Sequence, residues 1–443
     1  MLPAERRLLA LLALVQFNHI LDFVIIMPLG PTLMATFHLS PEGFSYIVSS
    51  YTLAAGIMGF LGAFWLDRFD RKWALVVLFS GFVLGTAAMA LAPSYEVLLA
   101  ARLLTGAFGG LLGALTFTIV GDAVPLERRA QAMGILTAAF SVASVVGIPS
   151  GIWLANHFGW NSTFVAIALS SALVLPLILA WMPGMRGHIV SKTARPRPLE
   201  ILSAVGQNPA QRSGLLLMAL LMVGQFGIIT LMNPYLVRNV GFREEQLPLV
   251  YIVGGVLTVF SGPGIGRLAD RYGHRRMFRV VALLSLVPLL AVTHLPRVGL
   301  AVGLVAMGAF FVLVSGRLIV AMTLITSTAV PARRAGLMSL ATMTQHLFVS
   351  LGSLLGGYIV TQTTPTSPLE HFGWVGYLAA GTTLAALVVV GRVIPAQPTA
   401  VHSAVAVPAM SPAGTGVLPC DPALDPDCAP DGTPQVALAT PRP

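Results

Sequence analysis

The sequence predicts an all-α membrane protein: about twelve transmembrane helices in two pseudo-symmetric six-helix bundles around a central cavity. Three observations predict it. The first is composition. Of 443 residues, 56% are hydrophobic and 10% are charged, and the mean hydropathy is +0.83. Soluble domains carry about 25% charged residues, so water is not the main solvent of this chain. The second is a series of apolar runs of about 20 residues, the length that crosses a bilayer. The third is an internal echo between the two halves.

The runs fall in order at 8–36, 44–66, 74–92, 95–121, 131–157 and 160–182, then 214–238, 246–268, 278–295, 298–326, 335–361 and 373–394. The start MLPAERR followed by an apolar run mimics a signal peptide. The run is too long for one and holds Asn18 and Asp22, so it reads as an uncleaved first span. Gly and Pro occur inside the runs, as neighbouring helices in lipid tolerate. Residues 1–182 form the first bundle, 183–213 a basic linker, 214–395 the second bundle, and 396–443 a Pro-, Ala- and Asp-rich disordered tail.

Charge sets the orientation. Arg68, Arg71 and Lys72, then Arg128 and Arg129, then the linker, then Arg271, Arg275, Arg276 and Arg279, then Arg333 and Arg334 occupy alternate connections. The intervening connections hold only Arg238, Arg243 and Arg297. Positive charge stays in the cytoplasm, so both termini are expected there, in a multi-pass protein of the cell membrane. A net charge of +9 in a soluble protein would suggest nucleic acid. Here the basic residues are short clusters between apolar runs, and no nucleic-acid partner is expected. Cys420 and Cys428 both lie in the tail, in PCDPALDPDCAPD. They frame no disulfide core, and their spacing fits neither a zinc site nor a calcium loop.

The echo is in register. WLDRFDRK follows the second run and RLADRYGHRR the eighth; AVPLERRAQAMG joins runs four and five and AVPARRAGLMS joins runs ten and eleven. Repeats of this kind mark transporters that alternate access around a site at the membrane midplane.

Within the first bundle, the charged residues well inside runs are Asp22 and Arg102. A carboxylate at the bilayer centre costs about 2.5–3.5 kcal/mol on insertion scales. Asp22 lies roughly 21 Å along an outward-running helix and Arg102 roughly 10 Å along an inward-running one, at 1.5 Å per residue. In a core about 30 Å thick these are similar depths, and a pair would offset much of the cost. Burial favours the neutral carboxyl and a guanidinium favours the charged one. The pair is therefore either a proton switch or a static tie that fixes helix packing. Asn18, His19 and Asp22 share a helix face and are expected to look into the cavity. Gln225 and Asn233 are further cavity candidates, or else form interhelical hydrogen bonds; Gln345 and His346 are weaker ones. Arg317 has no intramembrane acid in its half. It either snorkels, binds an anionic substrate group or serves a gate.

At these residues the chain resembles the major facilitator superfamily, and within it the proton-coupled drug and sugar efflux permeases of the drug:proton antiporter type. The resemblance covers about residues 8–395. AFWLDRFDRK is similar to the family's loop after span two, with Asp67, Arg68, Arg71 and Lys72 matching, Ala63 and Asp70 departing from it. GRLADRYGHRR repeats the motif through Gly266, Leu268, Asp270, Arg271 and Gly273, followed by Arg275. The resemblance implies that these loops latch the cytoplasmic side in the outward-open state. ARLLTGAFGG is similar to the R-x-x-x-G-x-x-x-G element, with Arg102, Gly106 and Gly110 matching and Arg102 implied in proton transfer. SVVGIPSGIW is similar to the antiporter motif through Gly147, Pro149 and Gly151, with the proline one place displaced. In FGWNSTF, Asn161 stands where an arginine is common.

Together these imply a secondary transporter, not an enzyme, that exports a small molecule by proton antiport, with uptake symport and a non-transporting membrane sensor as alternatives. No cofactor is expected, the proton being the coupling ion, and no P-loop pattern for ATP occurs. The expected partners are a small-molecule substrate and membrane lipid, and the resemblance implies a monomer.

Overall fold

A computed structural model describes residues 3–186, 198–330, 334–364 and 367–396. The expected tail, 396–443, lies outside the described residues from 397 on, with Cys420 and Cys428, as do residues 187–197 of the expected linker. The described chain is helical. Its first part comprises α1 (Pro3–Ile25), α2 (Gly30–Thr36), α3 (Pro41–Trp65), α4 (Arg71–Ala90), α5 (Tyr95–Ala123), α6 (Leu126–Val142), α7 (Ile148–Phe158) and α8 (Trp160–Trp181). Then come α9 (Pro198–Gln207), α10 (Pro209–Tyr235), α11 (Leu247–Tyr272), α12 (His274–Thr293), α13 (Leu300–Ser327), α14 (Arg334–Ile359) and α15 (Phe372–Val389). An isolated bridge, Thr361 with Glu370, is the extended pairing among the described residues.

Eleven helices among the described residues are long and apolar enough to cross a membrane. Helix α14 has the length, 26 residues, but carries Thr342, Thr344, Gln345 and His346 at its centre and is not among the eleven. The expected first span, 8–36, is divided. Helix α1 stops at Ile25, a turn follows, and α2 begins at Gly30. Pro28 accounts for the break, because proline lacks an N–H and disfavours helical geometry in the residue before it, and Pro31 in the first turn of α2 suits the restart. The expected linker also differs from its sequence reading: it carries helix α9, and α10 begins inside it at Pro209.

Local chemistry sets the helix starts. Ser40 Oγ accepts the Gly43 N–H at 3.1 Å, and Asn208 Oδ1 accepts the N–H groups of Ala210 and Gln211 at 3.0 and 3.2 Å. Both are N-caps that satisfy otherwise orphaned donors, and each precedes a proline in the first turn.

The buried core has three parts. One draws on both halves of the chain: Met34, Phe44, Ile152 and Trp160 join Tyr235, Leu247, Phe310 and Phe372. A second comes from the first half, with Leu12, Phe79, Leu112 and Ile178. The third comes from the second half and α9, and Phe60 is its buried member from the first half among the described residues. Polar ties cross where the shared core sits. Tyr46 Oη lies 3.0 Å from Tyr358 Oη and donates to Glu42 Oε1 at 2.7 Å, and Thr32 Oγ1 donates to Glu244 Oε2 at 3.0 Å.

Candidate functional site

Asp22 sits in the last turn of α1, where backbone carbonyls lack a following helical N–H. Arg102, on α5, answers both needs of that residue. Its Nη1 donates to Asp22 Oδ2 at 3.2 Å and to the Asp22 main-chain oxygen at 3.2 Å. Thr86 Oγ1, on α4, donates to Asp22 Oδ1 at 3.2 Å. All three side chains have zero exposure. The Arg102 guanidinium carbon lies 4.4 Å from the centre of the Tyr51 ring, a cation–π distance. Tyr51 in turn stacks on Phe23 at 5.3 Å.

Two glycines make this possible. A Cβ built on Gly106 would stand 2.3 Å from the Tyr51 carbonyl oxygen, and one on Gly110 would stand 2.2 Å from that of Ala55. Only glycine lets α3 and α5 approach so closely, and that approach lays the Tyr51 ring over Arg102. The cluster is not saturated. Among the described residues, Nε and Nη2 of Arg102 and the Tyr51 hydroxyl are buried without a hydrogen-bond partner.

The structure thus brings Asp22 and Arg102 together. It separates the other members of the expected face. Asn18 is buried, with Nδ2 donating to the Leu14 carbonyl at 2.9 Å and Oδ1 accepting from Ser170 on α8, so it ties α1 to α8. Gln16 ties α1 to α5 by accepting from Thr116 Oγ1 at 3.1 Å. His19 is half-buried, beside Gly109, and its Nδ1 has no partner among the described residues. His346, on α14, has its Cβ 3.1 Å from where a Gly56 Cβ would stand, and its Nδ1 is likewise unpartnered.

In the second half, Gln225 is half-buried with an Oε1 unpartnered among the described residues. Asn233 is buried and donates to Tyr251 Oη at 2.7 Å, leaving Oδ1 in the same condition. Arg317 has zero exposure, so it does not snorkel; Nη1 donates to Thr383 Oγ1 at 2.7 Å, and Nε and Nη2 have no partner among the described residues.

The loop motifs hold contacts within their own halves. The Asp67 side chain lies outside what the structure describes, and Arg68 is exposed at the end of a short 3-10 turn. Arg71 is buried, with Nε 3.0 Å from Asp122 Oδ2 on α5. Asp270 is exposed and pairs with His274 at 3.2 Å, and Arg271 lies 5.5 Å from the Tyr272 ring centre. Arg275 donates through Nε and Nη2 to the Val393 carbonyl at 3.0 and 2.7 Å.

Asp70, where the motif has glycine, caps α4 through the Lys72 N–H at 2.9 Å and also accepts from Met185 N at 3.2 Å and Arg186 Nε at 3.1 Å. Burial opposes its charge, but the backbone N–H groups of Met185 and Lys72 and the Arg186 guanidinium outweigh it and hold this carboxyl below the usual range. Asn161 donates to the Ala90 carbonyl at 2.7 Å and so still ties α8 to α4.

The Gly147–Pro149–Gly151 stretch opens with a π-helical turn, Ala143–Gly147, before α7. That turn accommodates the missing proline N–H. Gly147 faces Leu21 and Gly151 faces Ile25, with built Cβ atoms 2.8 and 2.7 Å from those side chains, so the motif seats α1 beside Asp22.

Sequence reasoning missed Thr86, Tyr51 and Gln16. A threonine or tyrosine in an apolar run is common enough to carry no signal; the glycines opposite Tyr51 are the nearest clue. Among the described residues, no group of three or more His, Cys, Asp or Glu side chains is placed to hold a metal ion.

Comparison with known proteins fits this arrangement. The chain is 23% identical over 359 residues to the uncharacterized MFS-type transporter YceJ of Bacillus subtilis (strain 168), covering 80% of this chain and 88% of that protein. It is 28% identical over 247 residues to a probable sugar efflux transporter of Mannheimia succiniciproducens, covering 55% and 58%. Among solved structures, it superimposes on a mutant of the nucleoside transporter NupG with a TM-score of 0.71 at 15% identity, covering 87% of this chain and 100% of that one. A D-xylose-proton symporter gives 0.71 at 17%, covering 88% and 98%. An inward-facing bacterial homologue of the lysosomal transporter Spinster gives 0.67 at 17%, covering 89% and 95%. The family model for the Major Facilitator Superfamily matches residues 12–315 and 215–424. This multi-pass helical chain belongs to the major facilitator superfamily and is a membrane transporter by family, not an enzyme.

Proposed function

We propose that this protein exports a small molecule across the bacterial cell membrane by proton antiport, through alternating access of two six-helix bundles. The observation that carries the proposal is the Asp22–Arg102 pair at 3.2 Å, with zero exposure of either side chain. A buried pair is a poor stabiliser, since the desolvation penalty rivals the Coulombic gain. Ionisable groups inside membranes default to functional sites for that reason. In the cycle, Asp22 takes a proton from outside, lets substrate go, and discharges the proton inside; the distance to Arg102 tunes the exchange. The loops carrying Asp67, Arg68, Arg71, Asp270, Arg271 and Arg275 hold the cytoplasmic side in the alternate state. His19, Gln225, Asn233 and Arg317 hold buried polar atoms without a partner among the described residues, and a change of conformation must uncover them before substrate can use them.

The positive-inside rule puts the Arg71 and Arg275 loops, and both termini, in the cytoplasm. On that orientation the core shared by both halves lies on the outer side, and the conformation reads as inward-facing. A twelfth span at α14, a linker that ends where α10 begins at Pro209, the tail at 396–443 and a monomeric state complete the reading.

The test is flux in proteoliposomes under an imposed pH gradient, with a cationic dye and a pentose as probes. Antiport predicts probe movement opposite to the proton. Movement with the proton would replace it by uptake symport, a reading favoured by the likeness to a D-xylose-proton symporter.

A further inference from the structure

One cavity lies away from the Asp22 cluster, at the membrane face where α11 ends and α12 begins. It has a volume of about 390 Å³, and its lining includes His274, Arg275, Arg276, Thr323, Ser327 and Pro395. Among the described residues, no carboxylate lines it. Arg275 is held in place by the Val393 carbonyl, and Ser327 anchors the far wall by accepting the Ala396 N–H on its main-chain oxygen at 2.9 Å. Arg276 is exposed and stands at the mouth. The acid nearest in sequence, Asp270, is already paired with His274. Two guanidiniums at one cavity are a phosphate-binding chemistry, whereas the Thr323 and Ser327 hydroxyls already donate to the Ile319 and Leu324 carbonyls.

What fills such a cavity is indicated by the helix below it. Val280, Leu283, Leu284 and Val287 lie four, seven, eight and eleven residues beyond Arg276 on α12, and all four are exposed. They form a single stripe running from the cavity into the membrane. From Arg276 to Val287 the stripe measures roughly 17 Å at 1.5 Å per residue. Half of a hydrocarbon core about 30 Å thick is similar. An acyl chain of one leaflet fits the stripe while its headgroup phosphate occupies the cavity. The stripe is the lipid-facing side of a spanning helix, so the cavity opens beside acyl chains and a phosphate carried by a lipid reaches it from the membrane. The lack of a carboxylate in that lining disfavours a headgroup amine. We infer that this cavity and stripe form a binding site for an anionic phospholipid, its phosphate held by Arg275 and Arg276 and its acyl chain lying along α12. The site does not rest on the export reading, although Arg275 also belongs to the loop assigned there to the cytoplasmic side.

The test uses the full-length protein in phosphatidylcholine nanodiscs doped with phosphatidylglycerol, with retained lipid read by native mass spectrometry. Arg276→Gln and Ser327→Asp should each weaken phosphatidylglycerol retention, on the order of fivefold for the lost arginine. Arg297→Gln removes the same charge just beyond the opposite end of α12 and should leave retention unchanged. Ser327→Asp carries the test alone should Arg276→Gln fail to fold. Equal retention of phosphatidylcholine and phosphatidylglycerol, or equal loss in the 276 and 297 variants, would overturn the site. Displacement of the lipid by millimolar inorganic phosphate would overturn the lipid as its occupant.

Discussion

Asp22 and Arg102 share a problem that neither solves alone. Each is fully buried, and removing one partner leaves an uncompensated charge in an apolar interior. Arg102→Met should therefore lower the unfolding free energy by about 3–5 kcal/mol. The Asp22→Asn, Arg102→Met double variant should lose much less than the sum of the singles, because the two residues are coupled. Thermal unfolding in detergent checks both. Asp70 gives a pH prediction. Its carboxyl is held below the usual range in the folded protein, so its contribution is complete above the ordinary carboxylate pKa and disappears as pH falls through the lowered value. Stability should decline on the acid side, and Asp70→Asn should flatten that decline; a decline of equal slope in both proteins would exclude Asp70 as a source. The identity of the buried charges was legible because charge is so rare in these runs. The partners were not. Thr86 and Tyr51 reach the pair through helix packing, which a run of letters does not encode.

Helix pairs are set by where side chains are missing. Gly110 faces the α3 backbone so closely that a Cβ would stand 2.2 Å from the Ala55 oxygen, whereas a Cβ on Gly121 of the same helix meets nothing within 4 Å. Gly110→Val should destabilise by about 1–3 kcal/mol, because the clash is with backbone. Gly121→Ala should be neutral or stabilise by up to about 1 kcal/mol through helix propensity. Comparable loss in both would mean that α3 and α5 do not meet as described. The apolar runs gave the helices nearly as found, from Tyr95–Ala123 to Leu300–Ser327. They did not give the interruption at Pro28 or the π turn before α7, since composition stays apolar through both. Helix α14 shows the converse: its polar centre makes its length, not its hydropathy, the evidence for an element.

Across the molecule, the buried clusters describe a conformation as well as a fold. Both halves contribute to one of them, whereas the other two each belong chiefly to one half. Repeated motifs are the sequence's ground for expecting a two-part organisation. Which side closes was not readable, because one sequence must support every state of a transport cycle. Gly255 on α11 and Ser144 face each other across the halves, with a built Cβ 3.6 Å from the serine Cβ. That spacing suits a disulfide. In a chain carrying Cys420→Ser and Cys428→Ser, the Ser144→Cys, Gly255→Cys pair should form a crosslink under mild oxidation and arrest transport until reduced. A crosslinked protein that still transports would show that this contact persists throughout the cycle.

The central claim is that Asp22 exchanges a proton against substrate. The most direct measurement is proton release from purified, detergent-solubilised protein on adding candidate drugs and sugars, comparing wild type with Asp22→Asn. The account predicts release by the wild type on one ligand class and none by the variant. Ligand binding with identical proton behaviour in both proteins would contradict it and leave Asp22 a packing residue.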